Sequence, residues 1–311
     1  MKTIKKYFAI RTFRNFRFLL KHSVLLVSCL LSPVCGQYAG GQTGIPTTFD
    51  RYVAKNGNNL NPGTQAAPYR SIQWAIDHAP QNGATIKIGA GVYEECPVIN
   101  GKDIRLVGEP TDPLLVTIDG LNTGTVLTVT NCNSQFYGLT ITGGRALETK
   151  GGGAHLTNAT AYFYGVVFSA NWNAIAEGSA IASTGNSSLQ MHNSLIYNNR
   201  TTYSIVDIKT GTAVMNNVTI TDNRAGIIIN ARDGASVDIR NSIVYNSPYQ
   251  PSYNYFEFAN DGSCQVTMNY TNYKNKRNGT IQLGAGNQAD IDPQFVSVAE
   301  NKYQLDRKSV V

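Results

Sequence analysis

The chain has 311 residues, of which 15% are charged and 29 are glycine, a composition that fits a turn-rich β protein better than a helical one. Its formal net charge of +6 is concentrated at the start, because residues 1–36 hold seven basic residues and no acidic ones. In residues 37–311, 19 basic residues stand against 20 acidic ones. We therefore expect no nucleic-acid partner, since no global positive charge is present to attract one.

The N-terminal segment has the pattern of a secretory signal. Its basic stretch leads into the apolar run 23–31 and ends in the small residues before Gln37. We predict a signal peptide over residues 1–36 and a mature chain that is secreted or held at the cell surface, without a transmembrane segment. The residues that end at Cys29 resemble a lipoprotein box, so anchoring at Cys29 is a minor alternative.

The next segments predict a linker, one helix and the first strands. Residues 37–50 are rich in Gly and Thr and are typical of a linker. Ser71 is a good N-cap for the apolar spacing of residues 72–76, which predicts a short helix ending before Pro80. Strand-like segments bounded by turn residues follow at 85–88, 91–93, 104–107 and 116–118.

A repeated phrase then dominates the sequence: a small or polar residue followed by a β-branched or aromatic run. It starts at five positions separated by 27, 29, 23 and 25 residues, namely Gly138, Gly165, Ser194, Asn217 and Ser242. A period of this length indicates a solenoid, and the units are too short for propeller blades. We predict a parallel β-helix whose core includes one stacked column formed by Leu139, Val167, Leu195, Val218 and Ile243.

Two sets of residues predict the turns between the strands. The glycines at 185, 211, 234 and 262 align at one turn, where a positive φ is needed. A second turn carries asparagines whose side-chain amides could stack as a ladder of hydrogen bonds, namely Asn171, Asn198, Asn199, Asn223 and Asn246.

Residues 68–77, 83–88 and 91–94 resemble the N-terminal cap and first coil of right-handed parallel β-helix proteins of the pectin-lyase-like superfamily. Residues 290–295 are similar to the start of the choice-of-anchor Q region that ends many secreted bacterial β-helix proteins, shortened here. The resemblance implies an all-β fold: one right-handed parallel β-helix over residues 51–305, with a short N-terminal capping helix and a tail at 306–311. It implies no single activity, because the superfamily holds lyases, hydrolases, esterases and adhesins.

Enzyme signatures of this superfamily are mostly missing. The polygalacturonase-like motifs do not occur, and no convincing carboxylate pair for glycoside hydrolysis is present. The segment 91–95 resembles the first motif of pectin methylesterases, but their later paired aspartates have no counterpart. We therefore interpret Glu94 and Glu95 as surface residues of the first coil.

A polysaccharide lyase needs only a base and a cation beside the uronate. Lys209 and Arg232 each lie two residues before a turn glycine on successive coils, which makes them candidate catalytic residues. Asp207 and Asp233 lie nearby and are the candidate Ca²⁺ ligands, although two aspartates are few for Ca²⁺. The alternative is a solvated, salt-bridged turn. No other cofactor is predicted.

An aromatic insert at residues 248–256 suggests a glycan-binding surface formed by Tyr249, Tyr253 and Tyr255, because tyrosine rings stack on sugars. The alternative is that these rings cover the edge of a coil. His155 and His192 each lie alone beside a strand and predict surface or hydrogen-bonded core residues. The favoured function is a monomeric, non-catalytic module that binds an extracellular polysaccharide or a host surface. The rival is a Ca²⁺-assisted lyase acting on a uronate polymer.

Overall fold

The computed structural model describes residues 44–80, 82–146, 151–173, 177–246, 255–297 and 302–305. The predicted signal peptide, the lipoprotein site at Cys29 and the tail at 306–311 lie outside these residues and stay predictions. Within the described part of the chain, no helix has the length and apolar character needed to cross a membrane.

Two large sheets of parallel strands run along the coils, and a third, short parallel sheet accompanies three of the coils. The first sheet has 17 strands: Arg51–Val53, Asn82–Ile88, Gly91–Tyr93, Asp103–Val107, Val116–Asp119, Asn133–Tyr137, Thr140–Thr142, Thr160–Tyr164, Val167–Ser169, Ser188–Tyr197, Thr212–Thr221, Ser236–Arg240, Ile243–Tyr245, Gln265–Asn269, Asn272–Tyr273, Gln282–Leu283 and Gln288–Ala289. Its two halves are joined by the ten-residue strands Ser188–Tyr197 and Thr212–Thr221, each of which pairs with both halves.

The other two parallel sheets are smaller. The second has eight strands: Val98–Asn100, Leu127–Thr130, Ala154–Thr157, Ile181–Thr184, Ser204–Lys209, Ile227–Arg232, Phe256–Asn260 and Arg277–Asn278. The third has the two-residue strands Arg145–Ala146, Trp172–Asn173 and Arg200–Thr201. One antiparallel pair, Phe295–Ser297 with Lys302–Leu305, follows the coils. The predicted parallel β-helix is confirmed.

The predicted core column is wrong by one position. Val167, Leu195 and Ile243 share a register column in which only Val167 is buried, whereas Leu139 and Val218 are buried one position earlier, in the column of Val166 and Ser194. The true core column is formed by Ile141, Phe168, Ile196, Ile220 and Val244, each at most 1% exposed. The error arises because Asn217 takes a turn position with φ 57°, which Asn193 and Asn241 take in the neighbouring coils. A shift of one residue moves a side chain to the other face of a strand.

The predicted helix is confirmed as Ile72–Asp77, with a short 3₁₀ turn at Pro113–Leu115 later in the chain. The Ser71 hydroxyl accepts a hydrogen bond from Trp74 N, as an N-cap should. The carboxylate of Glu95 also accepts from Ile72 N at 2.8 Å and from Gln73 N at 3.0 Å. The interpretation of Glu95 as a plain surface residue is therefore wrong, because it ties the first coil to the helix that covers the core.

The predicted asparagine ladder is confirmed for four residues, and we call Asn171, Asn199, Asn223 and Asn246 the asparagine ladder. Each is at most 5% exposed. Asn171 donates from both N and Nδ2 to Asn199 Oδ1 at 3.0 Å, and Asn199 donates in the same way to Asn223 Oδ1. Asn198 is not a member, because it is exposed and holds φ 52° one residue earlier.

The ladder ends on a buried acid. Asn246 donates from N to Glu257 Oε1 at 2.8 Å and from Nδ2 to Glu257 Oε2 at 2.9 Å, where the next asparagine would otherwise accept. Glu257 is 0% exposed. Desolvation by burial raises the pKa of Glu257 to about 8, although the bonds from Asn246 and the charge of Lys274 act in the opposite direction.

The predicted turn glycines do take positive φ, between 66° and 86°. They do not form one column, however. The strand register places Gly211 beside Gly234, whereas Gly185 lies beside Thr210 and Gly262 beside Asp233. Thr210 and Asp233 also have positive φ, 61° and 56°, so the turn conformation is the same in each coil although the residue type differs. We call the turn that contains Gly185, Thr210, Asp233 and Gly262 the glycine turn.

Candidate functional site

The structure brings the predicted lyase residues together. Lys209 and Arg232 are register partners on adjacent strands of the second sheet. Arg232 donates to Asp207 Oδ1 from Nε at 3.1 Å and from Nη2 at 2.9 Å, and its Nη2 lies 3.3 Å from Glu177 Oε1. Sequence reasoning did not foresee the contribution of Glu177.

Asp207 is the buried centre of this cluster. Its side chain is 0% exposed, and its second oxygen accepts from Ser204 Oγ at 3.1 Å and Asn230 Nδ2 at 2.8 Å. Burial by itself lowers the pKa of Arg232, but the hydrogen bond and charge of Asp207 outweigh it and the net pKa is raised. Arg232 is therefore held as a cation, a poor state for a general base.

The second half of the cluster faces solvent. Lys209 Nζ lies 3.5 Å from Asp233 Oδ2, with the two side chains 40% and 49% exposed. The two aspartates are thus engaged by different cations. No group of three or more His, Cys, Asp or Glu that could hold a metal ion occurs among the described residues. These residues do not fit a Ca²⁺ site, and the catalytic roles of Lys209 and Arg232 stay predictions.

The structure describes one of the three predicted glycan-binding tyrosines. Tyr249 and Tyr253 lie outside the described residues. Tyr255 is 6% exposed, its hydroxyl donates to Asn246 O at 2.7 Å, and Lys276 Nζ lies 4.4 Å from its ring centroid. Burial and the nearby Glu257 raise the pKa of Tyr255. Its glycan role stays a prediction that would require the ring to leave these partners.

A group of aromatic side chains on the outside of the first sheet was missed by sequence reasoning. We call Tyr137, Tyr162, Tyr164 and His192 the aromatic shelf. Tyr137, Tyr164 and His192 occupy one register position on three successive coils, and Tyr162 lies two residues before Tyr164. The Tyr162 and His192 ring centroids are 5.1 Å apart, and the Tyr162 and Tyr164 rings lie within 14° of parallel.

The shelf is firmly supported from below. Tyr137 is fully buried, its hydroxyl donates to Gln135 Oε1 at 2.8 Å, and Val107 and Phe49 pack against the group. Tyr164 and His192 are half-buried and lie at its outer surface. Burial lowers the pKa of His192, which keeps the ring neutral at pH 7.

Tyr162 is also neutral at physiological pH. Burial, with smaller contributions from Tyr137 and Tyr164, raises the pKa of Tyr162 to about 12. Tyr164 and His192, the half-buried members of the shelf, offer rings with polar tips, a surface suited to the apolar faces and hydroxyl groups of sugars.

Solved structures with the same architecture were found, whereas no family model and no curated protein matches the sequence. The pectin methylesterase from Aspergillus niger superposes with a TM-score of 0.56 at 16% identity, covering 86% of this chain and 95% of that one. The chain has the right-handed parallel β-helix fold. Pectin methylesterase PemA from Erwinia chrysanthemi gives a TM-score of 0.53 at 15% identity (85% and 95% covered), and the carrot enzyme 0.55 at 12% (79% and 85%).

At such identities the likeness concerns the fold of this β-helix alone. The resemblance of residues 290–295 to a choice-of-anchor Q region stays a prediction.

The sequence did carry a signal for the shelf. Tyr137, Tyr164 and His192 are 27 and 28 residues apart, which is the length of one coil in this part of the β-helix. The alternation in residues 162–164 places Tyr162 and Tyr164 outside and Phe163 inside, where Phe163 stacks on Phe136 with centroids 4.8 Å apart. His155, by contrast, lies 3.3 Å from Thr184 Oγ1, which confirms the prediction of a hydrogen-bonded residue.

Proposed function

We propose that this β-helix is an exported, non-catalytic protein that binds extracellular polysaccharide through the aromatic shelf. The observation that carries the proposal is the placement of the half-buried Tyr164 and His192 at one outward position of two successive coils, on a base formed by the buried Tyr137 and Tyr162. The similar solved structures are pectin methylesterases, which supports a polysaccharide as the class of ligand.

The geometry of the shelf suits a polymer. Parallel strands place equivalent residues about 4.8 Å apart along the axis, so Tyr164 and His192 offer two neighbouring contacts along the β-helix. Stacking requires rings that are already ordered, and the contacts of Tyr162 with Tyr137, Tyr164 and His192 supply that order before any ligand binds.

A lyase function has no comparable support. Asp207 is committed to Arg232, and Asp233 to Lys209, so neither carboxylate is free for a cation. The candidate base Lys209 lies in an exposed ion pair with Asp233. A non-catalytic module is therefore the simpler account of the same turn.

Affinity electrophoresis and calorimetry with pectin and neutral β-glucans test the binding. We expect Tyr164→Ala to weaken binding by roughly fivefold to tenfold, the effect of losing one stacked ring. Tyr203→Ala is the matched control, since Tyr203 is 50% exposed but lies away from the shelf in sequence and sheet. Equal losses in the two variants, or no binding by the parent chain, would contradict the proposal.

Enzyme assays test the non-catalytic part. The protein is incubated with pectin, polygalacturonate and alginate, with and without Ca²⁺, while unsaturated product is followed by ultraviolet absorbance and released methanol is measured. We expect neither product. Ca²⁺-dependent unsaturated product that disappears in Lys209→Ala would establish the lyase instead.

A further inference from the structure

Four side chains form a row on the outside of the third sheet, at a position that the aromatic shelf does not include. Arg145, Trp172 and Arg200 are register partners on its three strands, and Arg224 extends the row through a bridge to Arg200. The residue that follows each of the first three is buried, so the row itself points outward. We call these four residues the arginine column.

The asparagine ladder holds the column in register. Arg200 and Arg224 each follow a ladder residue directly in the sequence. The Arg200 amide donates to Asn171 O at 2.9 Å, and the Arg224 amide donates to Asn199 O at 2.8 Å. A buried, fully bonded ladder therefore fixes the backbone from which the outward side chains project, at steps of about 4.8 Å.

The guanidinium groups are prepared for an anionic ligand. The guanidinium of Arg145 lies 4.4 Å from the Trp172 ring centroid, and its Nε is buried without a hydrogen-bond partner. Arg200 is exposed, and no ion pair engages it within the described residues. Arg224 already has an interaction within the molecule and extends the row without carrying the argument. Stacking on an indole leaves the edge of a guanidinium free to bind an oxyanion.

The described segments that contain the column residues are poor in acids. In residues 140–146, 171–173, 196–203 and 221–226, three arginines stand against one carboxylate, that of Asp222. This local excess is notable because residues 37–311 as a whole carry a net charge of −1, from 19 basic and 20 acidic residues. The column is therefore a local concentration of positive charge on a nearly neutral molecule.

We propose that the arginine column binds a linear anionic polysaccharide lying along the axis of the β-helix. The guanidinium groups of Arg145 and Arg200 lie two coils apart with Trp172 between them, and they match a polymer that presents carboxylates or sulfates at that spacing, since arginine binds both groups in a bidentate manner. Nucleic acid is the less favoured occupant, because proteins that bind nucleic acids through the phosphate backbone are usually basic over the whole domain.

The test compares a column variant with a charge-matched control. Binding of polygalacturonate, dextran sulfate and neutral dextran is measured by calorimetry at several salt concentrations, for the parent chain, Arg145→Gln/Arg200→Gln and Arg70→Gln/Arg277→Gln. Both control arginines are exposed and lie outside the column. We expect the column variant to bind the anionic polymers roughly tenfold or more weakly, with a salt dependence reduced by about one unit of slope per lost contact.

The control should bind like the parent chain, and neutral dextran should not compete with the anionic polymers. A preference for polygalacturonate would identify carboxylates as the ligand groups, and a preference for dextran sulfate would identify sulfates. Equal losses in both double variants would show diffuse attraction and overturn the proposal. So would the absence of binding at low salt, or tighter binding of single-stranded DNA that depends on the same two arginines.

The outcome is separable from that of the aromatic shelf. Tyr164→Ala should leave the salt-dependent binding to the column unchanged, and Arg200→Gln should leave stacking on the shelf unchanged. Arg200 is exposed, so the single variant Arg200→Gln keeps the test valid if the double variant is less stable. Far-ultraviolet circular dichroism and the melting temperature check that each variant is folded.

Discussion

The asparagine ladder and the glycine turn are two turns of the same coils. They differ in whether their polar side chains are buried and bonded to one another or exposed at the surface. In the ladder, four asparagines are buried and each satisfies the next, from Asn171 to Asn246. At the glycine turn, the exposed pair Lys209 and Asp233 lies beside the buried Asp207. The difference shows that a repeating polar residue at a turn has a structural or a surface role according to whether its neighbours on adjacent coils can bond to it.

The two turns also differ in what controls the backbone. At the glycine turn the positive φ is taken by Gly185, Thr210, Asp233 and Gly262 in successive coils, so the conformation tolerates several residue types. In the ladder the hydrogen bonds pass from amide to amide, and a single different residue would interrupt them. The ladder should therefore be the more sensitive turn to substitution.

The largest effect is expected from Asn199→Ala at the centre of the ladder. It would leave N and Nδ2 of Asn171 without their acceptor and would remove Nδ2, one of the two donors to Asn223 Oδ1, all in a buried setting. We expect a loss of about 4 kcal/mol in the free energy of unfolding, measured by urea denaturation. Asn186→Ala, an exposed residue of the glycine turn, is the control and should change it by less than about 0.5 kcal/mol. Similar losses in the two variants would remove the distinction between the turns.

The second largest effect is expected inside the glycine turn itself. Asp207→Ala removes a fully buried carboxylate that accepts from Ser204, Asn230 and Arg232, so we expect a loss of about 3 kcal/mol. Asp233→Asn removes only the exposed partner of Lys209 and keeps a residue that tolerates positive φ, so its effect should stay within about 0.5 kcal/mol. Thermal and urea unfolding of both variants measure the contrast, which a costly Asp233→Asn would refute.

The end of the ladder predicts a pH dependence of stability. The pKa of Glu257 is about 8 in the folded protein and near 4.5 in the unfolded chain, so between these values the folded state holds a proton that the unfolded state has lost. The contribution of Glu257 to the free energy of unfolding should be fully present below pH 4.5. It should fall as the pH rises toward 8, by on the order of 1 kcal/mol per pH unit.

Glu257→Gln isolates this contribution. Its amide oxygen can accept from Asn246 as the ladder asparagines do, and it does not titrate. We expect the fall in stability with rising pH to flatten in Glu257→Gln and to persist in Glu94→Gln, an exposed control. Urea denaturation at several pH values across this range measures the free energy of unfolding. If its dependence on pH were unchanged in Glu257→Gln, the effect would belong to another group.

The smallest loss of stability is expected from a substitution that affects only the backbone conformation. Gly234 holds φ 79°, and an added Cβ would meet nothing within 4 Å, so Gly234→Ala should cost about 1 kcal/mol through strain alone. At Gly124 a Cβ also meets nothing and φ is not positive, so Gly124→Ala should be neutral or slightly stabilising. A Gly234→Ala variant as stable as Gly124→Ala would show that the glycine turn relaxes without cost.

Much of the fold could be read from the sequence because a solenoid repeats the same local rules on each coil. The helix at Ile72–Asp77, the parallel strands and the ladder members Asn171, Asn199, Asn223 and Asn246 follow from capping, β-branched runs and spacing. The register did not follow, because coils of unequal length let Asn217 and Ser194 look equivalent when they differ by one position.

The candidate sites show the same division. The sequence placed Lys209 beside Arg232 correctly, because each lies two residues before a turn glycine. It did not reveal that Asp207 is buried and paired with Arg232, that Glu177 also lies beside Arg232, or that Tyr255 lies inside the molecule. Burial depends on which segments cover a turn, and no local pattern contains that information.

The sequence by itself determined the architecture, because a repeated short strand pattern buries its apolar residues only by stacking coil on coil. The tertiary structure alone decided which outward residues meet. It placed Tyr137, Tyr164 and His192 on one shelf and aligned Arg145, Trp172 and Arg200 in one column. Residues so far apart in sequence become neighbours through the exact number of residues in each coil, and that number is set by how the turns pack.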